Sequence, residues 1–340
     1  MRKSAVMLGA VCALLIAFVV VFAMHKPAKS GRSAPSPREG GGLHVSGQNI
    51  VEAGGRPFVM RGVSHGYAWH GGRDGAFADI KRLGANTVRV VLTASTGAGQ
   101  VADVIAKCKA NRLICVLEYH DTTGHGDQPG TVSLDAAADY WTGLRDVLAG
   151  QEDYVVVNIG NEPYGNQGTD AWTADTKGAI ARLRAAGLRH LLMVDAPNWG
   201  QDWSGVMRDN APAVFASDPR HNTVFSVHMY GVYSTAAKVT DYYDAFRRTG
   251  LPLVVGEFGW KHTDGDVDED TIMSGAQQRG IGYLAWSWSG NSGGVEYLDM
   301  ADGFDPGRLT EWGERVFNGP DGIKATAREA AVFGGAVAKA

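Results

Sequence analysis

The sequence predicts an α/β fold, a (β/α)8 TIM barrel with a small N-terminal β-hairpin. Three observations carry that expectation. Short apolar runs recur without polar alternation, amphipathic stretches of helical period separate them, and eight such units fit into about 290 residues. The runs are Phe58–Val63, Thr87–Leu92, Leu113–Leu117, Tyr154–Ile159, Leu191–Val194, Thr223–Val227, Leu253–Val255 and Gly282–Ala285. Strands covered by helices on one face and packed into a core on the other have no solvated side to alternate toward. Helical stretches at Ala76–Leu83, Val101–Ala110, Asp135–Leu148, Thr173–Ala186, Thr235–Thr249 and Asp268–Arg279 supply the cover. A doubly wound open sheet is disfavoured, because Gly62-Val63-Ser64-His65-Gly66 lacks the glycine spacing of a dinucleotide-binding turn. Ahead of the barrel, Leu43-His44-Val45 and Asn49-Ile50-Val51 flank Ser46-Gly47-Gln48 and read as a hairpin.

The N-terminal end has a different composition. Arg2 and Lys3 precede an apolar run from Ala5 to Met24, with Val21-Phe22-Ala23 as a small-residue cleavage site. Residues 1–24 are expected to direct export and leave a secreted protein. The alternative is an uncleaved segment, residues 5–24, anchoring the chain to the outer face of the membrane. Residues 25–42 are rich in Pro, Ser, Gly and basic side chains and predict a disordered linker. Residues 43–333 form the barrel domain, and 334–340 a flexible tail.

The chain carries 32 basic and 36 acidic residues; six of the basic ones and one acid precede Gly42, which leaves 26 against 35 beyond it. An acidic body without a basic stripe argues against nucleic acid and anionic membranes as partners, and a monomer is expected. Cys108 and Cys115 flank a helix-to-strand turn. They either pair in an exported protein or remain buried thiols, and no cysteine pattern suits a metal.

Chemistry in such a barrel sits at the C-terminal strand ends. Read in order, these ends offer His65, Arg89, His120-Asp121, Asn161-Glu162, Asp195, His228 with Tyr230, Glu257, and Trp286 with Trp288. Glu162 follows Val155-Val156-Val157 and Glu257 follows Val254-Val255. A carboxylate at the end of a buried strand is costly to desolvate and so points to function. A closed ring can bring two of them, three strands apart, to about 5 Å, the separation of retaining glycoside hydrolysis. Arg89 and Tyr230 are positioned to hold Glu257 ionised as nucleophile. Glu162 is then the acid/base, its pKa raised by partial burial and by Glu257, and Asn161 donates to the sugar 2-hydroxyl. Glu118, one layer below His120, reads as a buttress. Asp121 and Asp195 read as turn or cap residues.

Trp69, Trp172, Trp199, Trp203, Trp286 and Trp288 all fall in loops or at strand ends. Flat indoles beside polar groups suit the apolar C–H faces of sugars, although Trp172 and Trp203 fit a core role equally well. The acidic run Asp264–Asp270 offers Asp268, Glu269 and Asp270 as ligands for a structural Ca2+, or as the start of a helix. No cofactor is needed for the chemistry.

With these residues assembled, the chain resembles glycoside hydrolase family 5. Arg89, His120, Asn161, Glu162, His228, Tyr230, Glu257 and Trp286 match all eight positions that define that family's active site. The stretches Val59–His65, Gly84–Arg89, Ser226–Gly231 and Trp286–Asn291 are similar to bacterial endo-β-1,4-mannanases of its subfamily 8. The resemblance runs from about Gly42 to Phe333. It implies retaining hydrolysis of β-1,4-mannan, galactomannan or glucomannan, with His120 and Trp286 contacting the sugar at the cleaved linkage and Trp69 lining a neighbouring subsite. An endo-β-1,4-glucanase uses the same eight residues and stays open as the alternative. A non-catalytic polysaccharide-binding protein at the cell surface is the alternative from another class.

Overall fold

The computed structural model describes residues 41–334. The expected export segment, nearly all of the linker and the tail from residue 335 lie outside the described residues. Eight parallel strands close into a barrel: β1 (Arg61–His65), β2 (Thr87–Leu92), β3 (Ile114–Tyr119), β4 (Val155–Asn158), β5 (Leu191–Asp195), β6 (Thr223–Met229), β7 (Leu253–Phe258) and β8 (Gly282–Ala285). Around them lie α1 (Ala76–Arg82), α2 (Ala98–Ala110), α3 (Leu134–Gly143), α4 (Trp172–Ala185), α5 (Val206–Ser217), α6 (Ala236–Arg247), α7 (Glu269–Arg279) and α8 (Glu311–Asn318). The sequence reading anticipated neither α5, which contains Pro212, nor α8.

The N-terminal hairpin pairs His44–Ser46 with Asn49–Val51. Its Leu43, Val45 and Ile50 join Phe58 and Met60 in a core cluster with Ile114, Val116, Val156, Leu191, Met193, Val224, Val254 and Leu284. This cluster is the barrel floor, and it explains why β1 starts at Arg61 rather than Phe58. The first half of that apolar run seals the floor instead of pairing along the barrel.

Side chains alternate along each strand between the interior and the helix layer. The outward set, including Val88, Val90, Leu117, Val155, Val157, Val194, Phe225, Val227 and Val255, packs beneath the helices. Cys108 and Cys115 belong to this layer as buried free thiols, so the unpaired reading is the one observed. His65 faces outward too, edge-on to Phe77 at 5.5 Å between ring centroids, and does not reach the mouth.

Inward positions change character with height. Above the apolar floor stand Ser64, Arg89, Glu118, Asn158, Asp195, Ser226 and His228, all fully or almost fully buried. Glu257 joins them through an irregularity. Val227 pairs with Val255, but His228 pairs with Glu257, so Gly256 is an extra residue in β7. Strict alternation from inward Val254 would turn Glu257 outward; the bulge returns it to the interior beside His228. A side chain at Gly256 would meet Ser226 Oγ at 2.1 Å, which leaves room only for glycine in this arrangement.

Candidate active site

Arg89 is the centre of the polar layer. Its guanidinium donates to Glu257 Oε1 at 2.6 Å, Asn161 Oδ1 at 2.7 Å, Asn158 Oδ1 at 3.1 Å and Asp195 Oδ2 at 3.3 Å. Glu118 Oε1 lies 3.7 Å away. Burial alone would push the guanidinium toward its neutral form, but Glu118, Glu257 and Asp195 outweigh it and keep the charge. Tyr230 donates its hydroxyl to Glu257 Oε2 at 2.9 Å, so both Glu257 carboxylate oxygens have a donor.

Glu162 is held on the opposite wall. A carboxylate oxygen of Glu162, one of Glu257 and a ring nitrogen of His228 lie within 4.8 Å of one another. Glu162 has a left-handed backbone, φ +39°. That conformation costs a non-glycine residue about 1–3 kcal/mol and persists where neighbours over-determine it. Here Gly124 N–H donates to the Glu162 carbonyl at 2.9 Å. The preceding Asn161 is pinned by its N–H to the Tyr119 carbonyl, 2.9 Å, and by Thr122 Oγ1 donating to its own carbonyl, 2.6 Å.

His228 joins the two walls. Its Nδ1 lies 2.8 Å from Glu162 Oε1 and its Nε2 forms an ion pair with Asp195 Oδ2 at 3.2 Å. Burial opposes charge on the ring, but Glu257, Asp195 and Glu162 prevail and raise its pKa to about 10. Asp195 is held down to about 2: burial works against its charge, and His228, Arg89 and Ser226 more than compensate. Burial pushes the Glu257 carboxyl above its ordinary value; His228 and Arg89 pull it back, while Glu162 and Glu118 add to the rise.

Asn161 Nδ2 donates to Thr123 Oγ1 at 2.8 Å while Arg89 holds its Oδ1, which fixes the amide plane. Glu118 accepts from His120 Nδ1 at 3.0 Å, the buttress expected of it. Trp286 stacks over His120 with ring centroids 6.2 Å apart, and Trp69 stands edge-on to His120 at 4.9 Å. Trp286 Nε1 donates to Asn291 Oδ1 at 2.8 Å. These groups, with Trp199 and Trp203, line an open cleft of about 890 Å³.

Two expected site assignments need correction. Trp288 is fully buried and packs edge-on to Phe317, so it is a core residue and not a wall of the cleft. Asp268, Glu269 and Asp270 do not converge on a cation. Asp268 caps α7 by accepting from Thr271 N at 3.0 Å, Glu269 and Asp270 occupy its first turn, and Asp270 pairs with Arg315. Among the described residues, the only groups near enough to share an ion are Glu162, His228 and Glu257. Trp172 is also core, and its Nε1 donates to the Asp195 carbonyl at 2.9 Å. The residue whose role sequence reasoning misread is Asp195, taken there for a turn or cap residue. It ends an apolar strand as Glu162 and Glu257 do, and the same desolvation argument would have selected it.

A family model described as cellulase, glycosyl hydrolase family 5, matches residues 51–292. A mannan endo-1,4-beta-mannosidase of Streptomyces lividans is 59% identical over 322 residues, covering 93% of this chain and 83% of that protein. The mannohexaose complex of Thermomonospora fusca beta-mannanase superposes with a TM-score of 0.84 at 57% identity, covering 87% of this chain and all of that one. Beta-mannanase from Streptomyces thermolilacinus, also with mannohexaose, gives 0.85 at 58% identity, covering 87% of this chain and 99% of the other.

With Glu257 as the expected nucleophile, activity should fall as pH drops through its raised pKa. Tyr230→Phe removes a donor that favours the ionised form. The acid limb of kcat/KM should therefore move to higher pH, with a loss of about ten- to a hundredfold at the optimum. A pH–rate profile of both proteins checks this, and an unmoved acid limb contradicts it.

Proposed function

Because the chain belongs to glycosyl hydrolase family 5, we propose that its cleft binds β-1,4-mannan, galactomannan or glucomannan and cleaves internal mannosidic bonds with retention. The observation that carries the reading is the approach of the Glu162 and Glu257 oxygens to within 4.8 Å, with Glu257 fastened by Arg89 and Tyr230. A gap of that size leaves no room for an attacking water between sugar and carboxylate, so the second carboxylate must attack directly.

In the first step a Glu257 oxygen bonds to the anomeric carbon while Glu162 gives its proton to the bridging oxygen. The bond to the leaving chain breaks as these happen. In the second step Glu162 takes a proton from water, whose oxygen attacks the same carbon and returns Glu257 as a carboxylate. The positive charge that develops on the ring faces Glu257 and the surplus of carboxylates around Arg89 and His228. Asn161, fixed by Arg89 and Thr123, keeps an amide hydrogen for the 2-hydroxyl. His120, Trp286 and Trp69 form the apolar bed for the sugar on the nucleophile's side. Two carboxyl groups and water complete the reaction, so no cofactor is required.

The substrate is a polymer, which supports placing the enzyme outside the cell. The run from Ala5 to Met24, preceded by Arg2 and Lys3, supports reading residues 1–24 as an export signal.

Glu257→Ala and Glu162→Ala should each remain folded and lose mannan hydrolysis by about a thousandfold or more. Reducing-sugar release from galactomannan, with carboxymethylcellulose as the comparison, is the measurement. Near-normal activity in either variant, or preference for the cellulose derivative, overturns the assignment. Activity from the full chain should collect in the culture medium; retention with the membrane fraction would favour the anchored alternative.

A further inference from the structure

We propose that Trp203, assisted by Trp199 and Asn166, forms a sugar-binding platform on the leaving-group side of the cleft. There it helps decide whether the glycosyl-enzyme passes to water or to a second saccharide. The inference rests on the mannan-hydrolase reading above.

Trp203 and Trp69 are the most exposed large apolar side chains among the described residues, at 59% and 51%. Trp69 belongs to the aromatic group around Trp286, and Trp203 stands apart from it. Trp203 belongs to neither core cluster and lines the cleft, where a flat apolar face suits the C–H face of a sugar.

The segment carrying it is built rather than loose. Asn198, Trp199 and Asp202 all have left-handed backbones, at φ +58°, +55° and +49°. Strain of this kind survives only under tight constraint. The constraint comes from Asp202, whose buried carboxylate accepts from Met207 N at 2.8 Å, Arg208 N at 2.9 Å and Tyr242 Oη at 2.8 Å. Trp203 Nε1 donates to Asn166 Oδ1 at 2.9 Å, which leaves the ring's apolar faces as its free surface.

The same contacts assign the platform its side. Asn166 follows Glu162 by four residues, and Trp199 N–H donates to the Tyr164 carbonyl at 3.0 Å. The platform is therefore docked on the segment that carries the proton donor, which faces the departing sugar oxygen. Trp69, Trp286 and His120 lie against one another as a separate group. Trp199 lies over Gly124, where a Cβ would come within 2.3 Å of its ring, so the floor beneath this indole is glycine by necessity.

A saccharide stacked there after the first step can replace water. Its hydroxyl proton passes to Glu162, its oxygen bonds to the anomeric carbon, and Glu257 leaves as a carboxylate. The product is a lengthened chain with the same anomeric configuration.

The test compares Trp203→Ala, Trp203→Phe and wild type on mannohexaose and on β-mannobiosyl fluoride, whose single-atom leaving group cannot reach the platform. For Trp203→Ala, kcat/KM on mannohexaose should fall about tenfold. On the fluoride it should stay within about twofold, and products longer than mannohexaose should decline. Trp203→Phe should recover most of both losses. Equal losses on the two substrates, or none on either, overturn the proposal. Failure of the wild type to cleave either mannoside would instead refute the mannan-hydrolase reading.

Discussion

One buried guanidinium organises this active site. Arg89 stands on the second strand with no exposure to solvent, and it touches groups from β4, β5, β7 and the loop that carries Glu162. An isolated charge at that depth would cost several kcal/mol. Glu118, Asp195 and Glu257 offset the cost, and the shared cation in turn favours the charged forms of Asp195 and Glu257. The cluster is therefore mutually dependent, and Glu257, the proposed nucleophile, is one of its structural members. Geometry that catalysis needs is thus maintained by the same forces that keep the upper barrel from filling with apolar side chains.

The layering of the interior follows from this. Below, the floor of Met60, Val116, Val156, Met193, Val224, Val254 and Leu284 contains no titratable group. Above it, nearly every inward position is polar and paired. Within that layer Ser64 Oγ and Glu118 Oε2 lack a hydrogen-bond partner. His228 ties the two catalytic walls into one electrostatic unit, since its charge is sustained jointly by Glu257, Asp195 and Glu162. The aromatic surface then extends the cleft on both sides of this charged centre.

Much of the fold was legible because its signals are local. Eight apolar runs between amphipathic stretches specify a parallel barrel without knowledge of any long-range contact. The glutamates, Arg89 and Tyr230 were legible because a charge at the end of an apolar run has few structural explanations. What was missed depends on partners distant in sequence. Gly256 is a bulge only relative to the register of β6, and nothing in Val254–Glu257 alone discloses it. His65 and Trp288 were placed in the mouth by their position in the chain. Alternation and packing turn the first toward Phe77 and the second toward Phe317. Asp195 was read as a turn residue because its partners, Arg89 and His228, come from other strands. The helix Val206–Ser217 was hidden by Pro212, which tertiary packing accommodates in its interior.

The account stands or falls on Glu257 as the atom donor to the anomeric carbon. Trapping the enzyme with a 2-deoxy-2-fluoro-mannosyl fluoride and mapping the adduct by peptide mass spectrometry tests that directly. The fluorine slows both steps and the activated leaving group restores the first, so the covalent species should accumulate. One fluoromannosyl group on the peptide containing Glu257 is the predicted result. An adduct on Glu162, or hydrolysis with inversion and no adduct, would contradict it.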